Sequence, residues 1–93
     1  MDQSTAENMI SYLSIDIGDS ISAAIEQIEK IGTDKKSDVT CILNAEYQLG
    51  QYSACMHMLE QISMDKFLEY GEQYSADVHR VLEGINKLYY MVI

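Results

Sequence analysis

Cys41, Cys55, His57 and His79 are the side chains of this sequence whose chemistry suits a soft metal ion or a thiolate nucleophile. Structural zinc sites take four such ligands in closely spaced pairs. Only Cys55 and His57 are close here, and residues two apart on a helix point to different sides. A cysteine nucleophile needs an imidazole in reach, a third group to orient it and donors for an oxyanion, and the sequence locates no such set. Two buried thiols and two surface imidazoles are expected, with no metal and no cofactor. Glu26 and Glu29 share one helix face, where ordinary solvation accounts for them. No glycine-rich phosphate loop is present, and the basic residues are too few for a nucleotide site. The expectation is a protein without catalytic residues that is not an enzyme.

Asp19-Ser20-Ile21 resembles the Asp-Ser-Leu attachment site of acyl carrier proteins, which are likewise small, acidic and helical. Those proteins place a full helix and a long loop before the serine, whereas this chain has nineteen residues there, and Asp19 reads as a helix cap. An acyl-carrier-like protein is therefore a distant alternative, whose mark would be the mass of a phosphopantetheine arm.

Fifteen acidic residues against six basic ones give a formal charge of −9, a sign that repels phosphate backbones and anionic lipid. No nucleic-acid partner is expected. Two cysteines make no disulfide framework, the first residues have neither the basic nor the apolar region of a signal peptide, and the longest apolar run, Leu88 to Ile93, is too short to span a bilayer. These features point to the reduced cytoplasm. Hydrophobic residues make up 47%, which argues against disorder, and ninety-three residues suit one domain, 1–93. Seven of the eight aromatics are Tyr, at home in an interface or at a core edge.

Without proline, glycine must punctuate the chain. Ser4 and Glu7 have the spacing of a capping box, and Met9, Ile10, Leu13 and Ile17 form a stripe ending at Gly18. Asp19 is placed to cap a second helix with Ile21, Ala24, Ile25 and Ile28, stopped by Gly32. Thr33 or Asp34 starts a third, with Val39, Ile42, Leu43 and Tyr47, ended by Gly50. Tyr52, Cys55, Met56, Leu59 and Ile62 give a fourth, Met64 to Tyr70 a short piece before Gly71, and a last helix runs from Tyr74 to Val92. Gly84 marks either a bend or a close approach. Strand signals are weak. Gln51-Tyr52-Ser53-Ala54 recurs as Gln73-Tyr74-Ser75-Ala76, each copy just after a glycine.

The segment Ala45-Glu46-Tyr47-Gln48-Leu49-Gly50-Gln51-Tyr52-Ser53-Ala54-Cys55-Met56 resembles the turn of a tetratricopeptide repeat. The resemblance implies that Gly50 reverses the chain, Tyr52 packs under the turn and small Cys55 lets the second helix sit close. Glu46 departs from the aromatic usual in that family, and no proline closes the second helix. The match covers about residues 36–69, one repeat, so the flanking helices must serve as degenerate neighbours. The expected fold class is all-α, antiparallel helical hairpins in a tetratricopeptide-repeat-like array.

With Gly32, the Gly50-Gln51-Tyr52 turn and Gly71, most of the chain is similar to tetratricopeptide-like co-chaperones of the type III secretion needle subunit. That resemblance implies a bacterial cytoplasmic, virulence-related chaperone. It would form a hetero-oligomer with a small helical co-chaperone and the needle subunit, hiding the subunit's polymerising helix in a groove. A stand-alone helical scaffold or inhibitor is the alternative. Helix phase nominates Leu43, Tyr47, Met58, Phe67, Tyr74 and Tyr89 for partner binding. Met56, Met58 and Met64 suit either a groove lining or plain core. The run Leu88 to Ile93 is apolar all round, so it meets a partner or folds back on the first helix.

Overall fold

The computed structural model describes residues 2–32 and 34–92, excepting the side chains of Leu88, Tyr89, Met91 and Val92. Three long helices account for almost all of it: α1 Gln3–Glu29, α2 Lys35–Ile62 and α3 Met64–Val92. Asp2 caps α1, its carboxylate accepting from the Thr5 N–H at 2.8 Å. Ser4 and Glu7 lie inside the first turns, so the expected capping box does not form. An ionised Asp ahead of the helix meets the free N–H groups and the positive end of the helix dipole together.

The turn into α2 uses Gly32, whose φ of 114° falls where side chains are strained. Its N–H donates to Asp38 Oδ1 at 2.9 Å. Asp34 caps α2 through the Ser37 N–H and hydroxyl, at 2.9 and 3.0 Å. Thr33 lies outside the described residues. The break between α2 and α3 is Ser63 alone, an extended residue whose N–H donates to the Leu59 carbonyl and whose hydroxyl accepts from the Lys66 N–H at 3.2 Å. One residue thus closes one helix and caps the next.

Gly18, Gly50 and Gly71 do not stop helices; each lies inside one. A helix-interior glycine costs only about 1 kcal/mol relative to Ala, which the packing of the flanking stripes outweighs. The separate helices expected on either side of Gly18, Gly50 and Gly71 are therefore continuous, and Asp19 is an exposed mid-helix residue rather than a cap. The proposed repeat at 36–69 covers most of α2 and the first turns of α3, with its reversal at Ser63 instead of Gly50. What glycine provides at Gly18 and Gly84 is room for a neighbour: a Cβ there would meet Tyr74 Oη at 3.2 Å and Ile28 Cγ2 at 2.6 Å respectively, whereas at Gly71 it would make ordinary contact with Met56 Cε at 3.8 Å. Gly84 thus marks a close approach of α3 to α1.

The helices form an up-down-up bundle of 50 × 18 × 16 Å, all-α and built of antiparallel hairpins. Leu13, Ile17 and Ile21 of α1 pack with Tyr52, Cys55, Met56 and Leu59 of α2, and Phe67, Tyr70, Tyr74 and Val78 of α3 close that end. Toward the other end Ala24, Ile42, Ala45, Val81 and Ile85 form a second cluster, where the two alanines let the backbones approach. Ile17, Ile21, Leu59 and Val81 are the largest side chains sealed from solvent, each stabilising the fold by about 1.5–3 kcal/mol. Among the described residues, polar ties across the bundle include Ser14 to Tyr70 at 2.7 Å and Arg80 to Glu29 at 2.8 Å, which join α1 to α3, and Asn44 to Gln27 at 3.4 Å, which joins α2 to α1. The two copies of the Gln-Tyr-Ser-Ala motif meet, since the Tyr52 and Tyr74 rings pack edge to face at 6.3 Å between centroids. No helix of the described residues is long and apolar enough to cross a membrane.

Candidate protein-docking site

Helix α2 has two apolar faces. Cys41, Ile42, Ala45, Tyr52, Cys55, Met56 and Leu59 turn inward. Val39, Leu43, Tyr47, Ala54 and Met58 are exposed, and with Gly50 they recur at intervals of three or four residues. At 3.6 residues per turn these positions share one side of the helix, opposite the core. Scattered apolar residues on a surface are ordinary, but a continuous row behind a complete core face is a second packing surface. Helix α3 is, by contrast, strongly amphipathic.

Leu43, Tyr47 and Met58, nominated from the sequence, sit on this outward row at 58%, 63% and 46% exposure. The other nominees do not join them. Tyr74 is half-buried at the core edge against Tyr52 and Tyr70. Phe67 packs on the core and also lines an open groove between α2 and α3, with Tyr52, Met56, His57 and Gly71. The side chain of Tyr89 lies outside the described residues, as does most of the Leu88 to Ile93 run, of which Tyr90 is 89% exposed. Gly50 is not a structural turn. Tyr52 and Cys55 are buried inside α2, where they pack against α1 and α3 rather than under a reversal. Met56 is core, whereas Met58 and Met64 are exposed.

Openings lie on both sides of α2, and the one toward α1 reaches the outward row at Tyr47. Between α1 and α2 an opening of about 460 Å³ is lined by Asp16, Asp19, Ser20 and Ala23 on one side and Tyr47, Gln48 and Gln51 on the other. Between α2 and α3 a larger one of about 910 Å³ has Tyr52, Val78 and Leu82 as its apolar wall. Gly71, Ser75 and Ala76 keep it shallow, and Glu72 and His79 stand at its rim. Val39 and Ala54 complete the row and were not nominated. Their signal was in the sequence: Val39, Leu43 and Tyr47 repeat every four residues, out of phase with Cys41, Ile42 and Ala45, so two stripes share one helix.

The soft side chains do not converge. Cys41 and Cys55 are free and buried on α2, and no cluster able to hold a metal occurs among the described residues. Burial raises the Cys55 thiol pKa, with a further push from the Asp16 carboxylate, so the thiol stays protonated and weakly nucleophilic. His57 is exposed, and exposed His79 lies 3.0 Å from Glu83 one turn on. Burial likewise raises the Tyr52 phenol, with Tyr74 adding to it. Ser20 lies mid-helix, without the preceding loop of a carrier-protein attachment site. No protein family, curated protein or solved structure matches this chain.

Proposed function

We propose that this chain is a helix-binding chaperone, holding an amphipathic helix of a small partner on the outward face of α2. The observation that supports this reading is the exposed row Val39, Leu43, Tyr47, Ala54 and Met58 behind a helix whose other face already fills the core. An apolar row about 28 Å long matches the buried stripe of a helix of five turns, the helix-in-groove mode of recognition. Tyr and Met suit such a surface, because an amphipathic ring and a flexible thioether adapt to different neighbours.

The partner class follows from the resemblance to co-chaperones of type III secretion needle subunits. A subunit made to polymerise carries an exposed apolar helix, and covering it in the bacterial cytoplasm with the help of a small helical co-chaperone keeps it soluble before export. The likeness of the Gly50 segment to a repeat turn no longer supports this reading, since α2 runs through it; the apolar row does. Coexpression with a needle-type subunit and its co-chaperone, followed by size-exclusion chromatography, tests the proposal. A stoichiometric soluble complex is expected. A subunit that assembles or precipitates unchanged beside free chain would refute it, and occlusion of an enzyme's active site would favour the inhibitor reading.

A further inference from the structure

The groove beside Tyr47 specifies the partner's charge. Asp16 and Asp19 stand on α1 along this opening, both exposed, and neither has an ion-pair partner among the described residues. Ser20 lines the same opening while only 7% of it is accessible, and among the described residues its hydroxyl has no hydrogen-bond partner. Ser11, Ser14 and Thr40 on the same helices bond back to the carbonyl four residues earlier. The groove therefore presents two carboxylates, a sheltered hydroxyl acceptor and the exposed ring of Tyr47, with Gln48 and Gln51 opposite. The two carboxylates suit a lysine or arginine side chain, whose stem can lie on the Tyr47 ring and whose head meets them.

We propose that the helix docked on α2 is basic along its edge, and that one of its cationic side chains enters the groove between α1 and α2 at Asp16, Asp19 and Ser20. This rests on the docking role proposed for the outward row and names the chemistry of its partner. A second copy of this chain is the wrong occupant: with a formal charge of −9 it would bring the acidic rim against its own kind. Lys35 and Lys36 stand at the start of α2, three to four residues before Val39, well away from the acids beside Tyr47. The cation-accepting part of the surface is thus its middle.

Three labelled peptides about 18 residues long, sharing one apolar helical stripe and carrying Lys, Gln or Glu at the flanking positions, test this by fluorescence anisotropy on the full chain. The Lys peptide is expected to bind about tenfold more tightly than the Gln peptide near 0.05 M salt, with the advantage shrinking near 0.5 M, and the Glu peptide to bind worst. Asp16→Asn with Asp19→Asn should erase the Lys preference and leave the Gln peptide unaffected. Leu43→Asp should abolish binding of all three. Thermal melts of each variant establish that it remains folded. Equal affinity for Lys and Gln peptides would overturn the cation subsite and leave helix docking intact. No binding by any peptide would overturn both. A salt-resistant dimer of the chain alone, lost in Leu43→Asp, would give the face to a second copy and overturn the basic partner.

Discussion

Gly84 of α3 lies directly against Ile28 of α1: a Cβ at Gly84 would sit 2.6 Å from Ile28 Cγ2, with Cδ1 and Cγ1 at 3.1 and 3.3 Å. The offending methyl is on a β-branched carbon whose χ1 is nearly fixed in a helix, so it cannot swing away cheaply. Gly84→Ala should therefore destabilise the chain by about 1–3 kcal/mol despite the better helix propensity of Ala. Urea denaturation measures it, and an increased midpoint would show that α1 and α3 are not in contact there.

Gly50 makes the opposite prediction. It lies exposed inside α2, and nothing approaches within 4 Å of the position a Cβ would take. Gly50→Ala should raise stability by about 1 kcal/mol through propensity alone. A loss would mean that the chain reverses at Gly50, as a tetratricopeptide turn requires.

The two faces of α2 should answer truncation differently. Leu59 is sealed in the core, and Leu59→Ala should cost about 2–5 kcal/mol. Leu43→Ala, on the outward face, should stay within about 0.5 kcal/mol of the parent chain. Equal losses in denaturant titrations would place Leu43 in the core.

The caps predict an acid response. Asp34 is held below its ordinary value of 3.8, first by the Ser37 N–H and then by the Ser37 hydroxyl. Asp2 is lowered in the same way by Thr5. A carboxylate with a depressed folded pKa adds stability that is complete above its unfolded pKa and disappears as pH falls through the folded one. The advantage of the parent chain over Asp34→Ala should therefore be constant from about pH 7 to 5 and shrink below about pH 4. Melting followed by circular dichroism at each pH checks it, and an advantage that survives at the acid end would rule out the ionised cap.

The helical content was legible because the apolar stripes of Leu13 to Ile28, Cys55 to Ile62 and Val78 to Ile85 keep the helical period without interruption. Helix ends were less so. Reading Gly18, Gly50 and Gly71 as stops gave twice as many helices, because the modest cost of a helix-interior glycine is repaid by contacts that the flanking stripes make between helices, which no local pattern displays. The break at Ser63 was legible, since one apolar stripe ends at Ile62 and the next helical piece starts at Met64, with the Ser63 hydroxyl placed to cap it. In the docking site, Leu43, Tyr47 and Met58 could be nominated by residue type. Separating them from Phe67 and Tyr74 required knowing the phase of α2 and α3 against the bundle. The groove at Asp16, Asp19 and Ser20 depends on α1 and α2 lying side by side, with Tyr47 some thirty positions away in sequence.

The most direct test of the account is to place two charges on the outward face of α2. Leu43→Asp with Met58→Asp should leave the melting transition of the free chain close to that of the parent, because neither side chain belongs to the core. The same pair should abolish the complex with a coexpressed needle-type subunit in size-exclusion chromatography. A complex that forms undiminished, or a free chain that no longer folds, would contradict the assignment of this face to a partner.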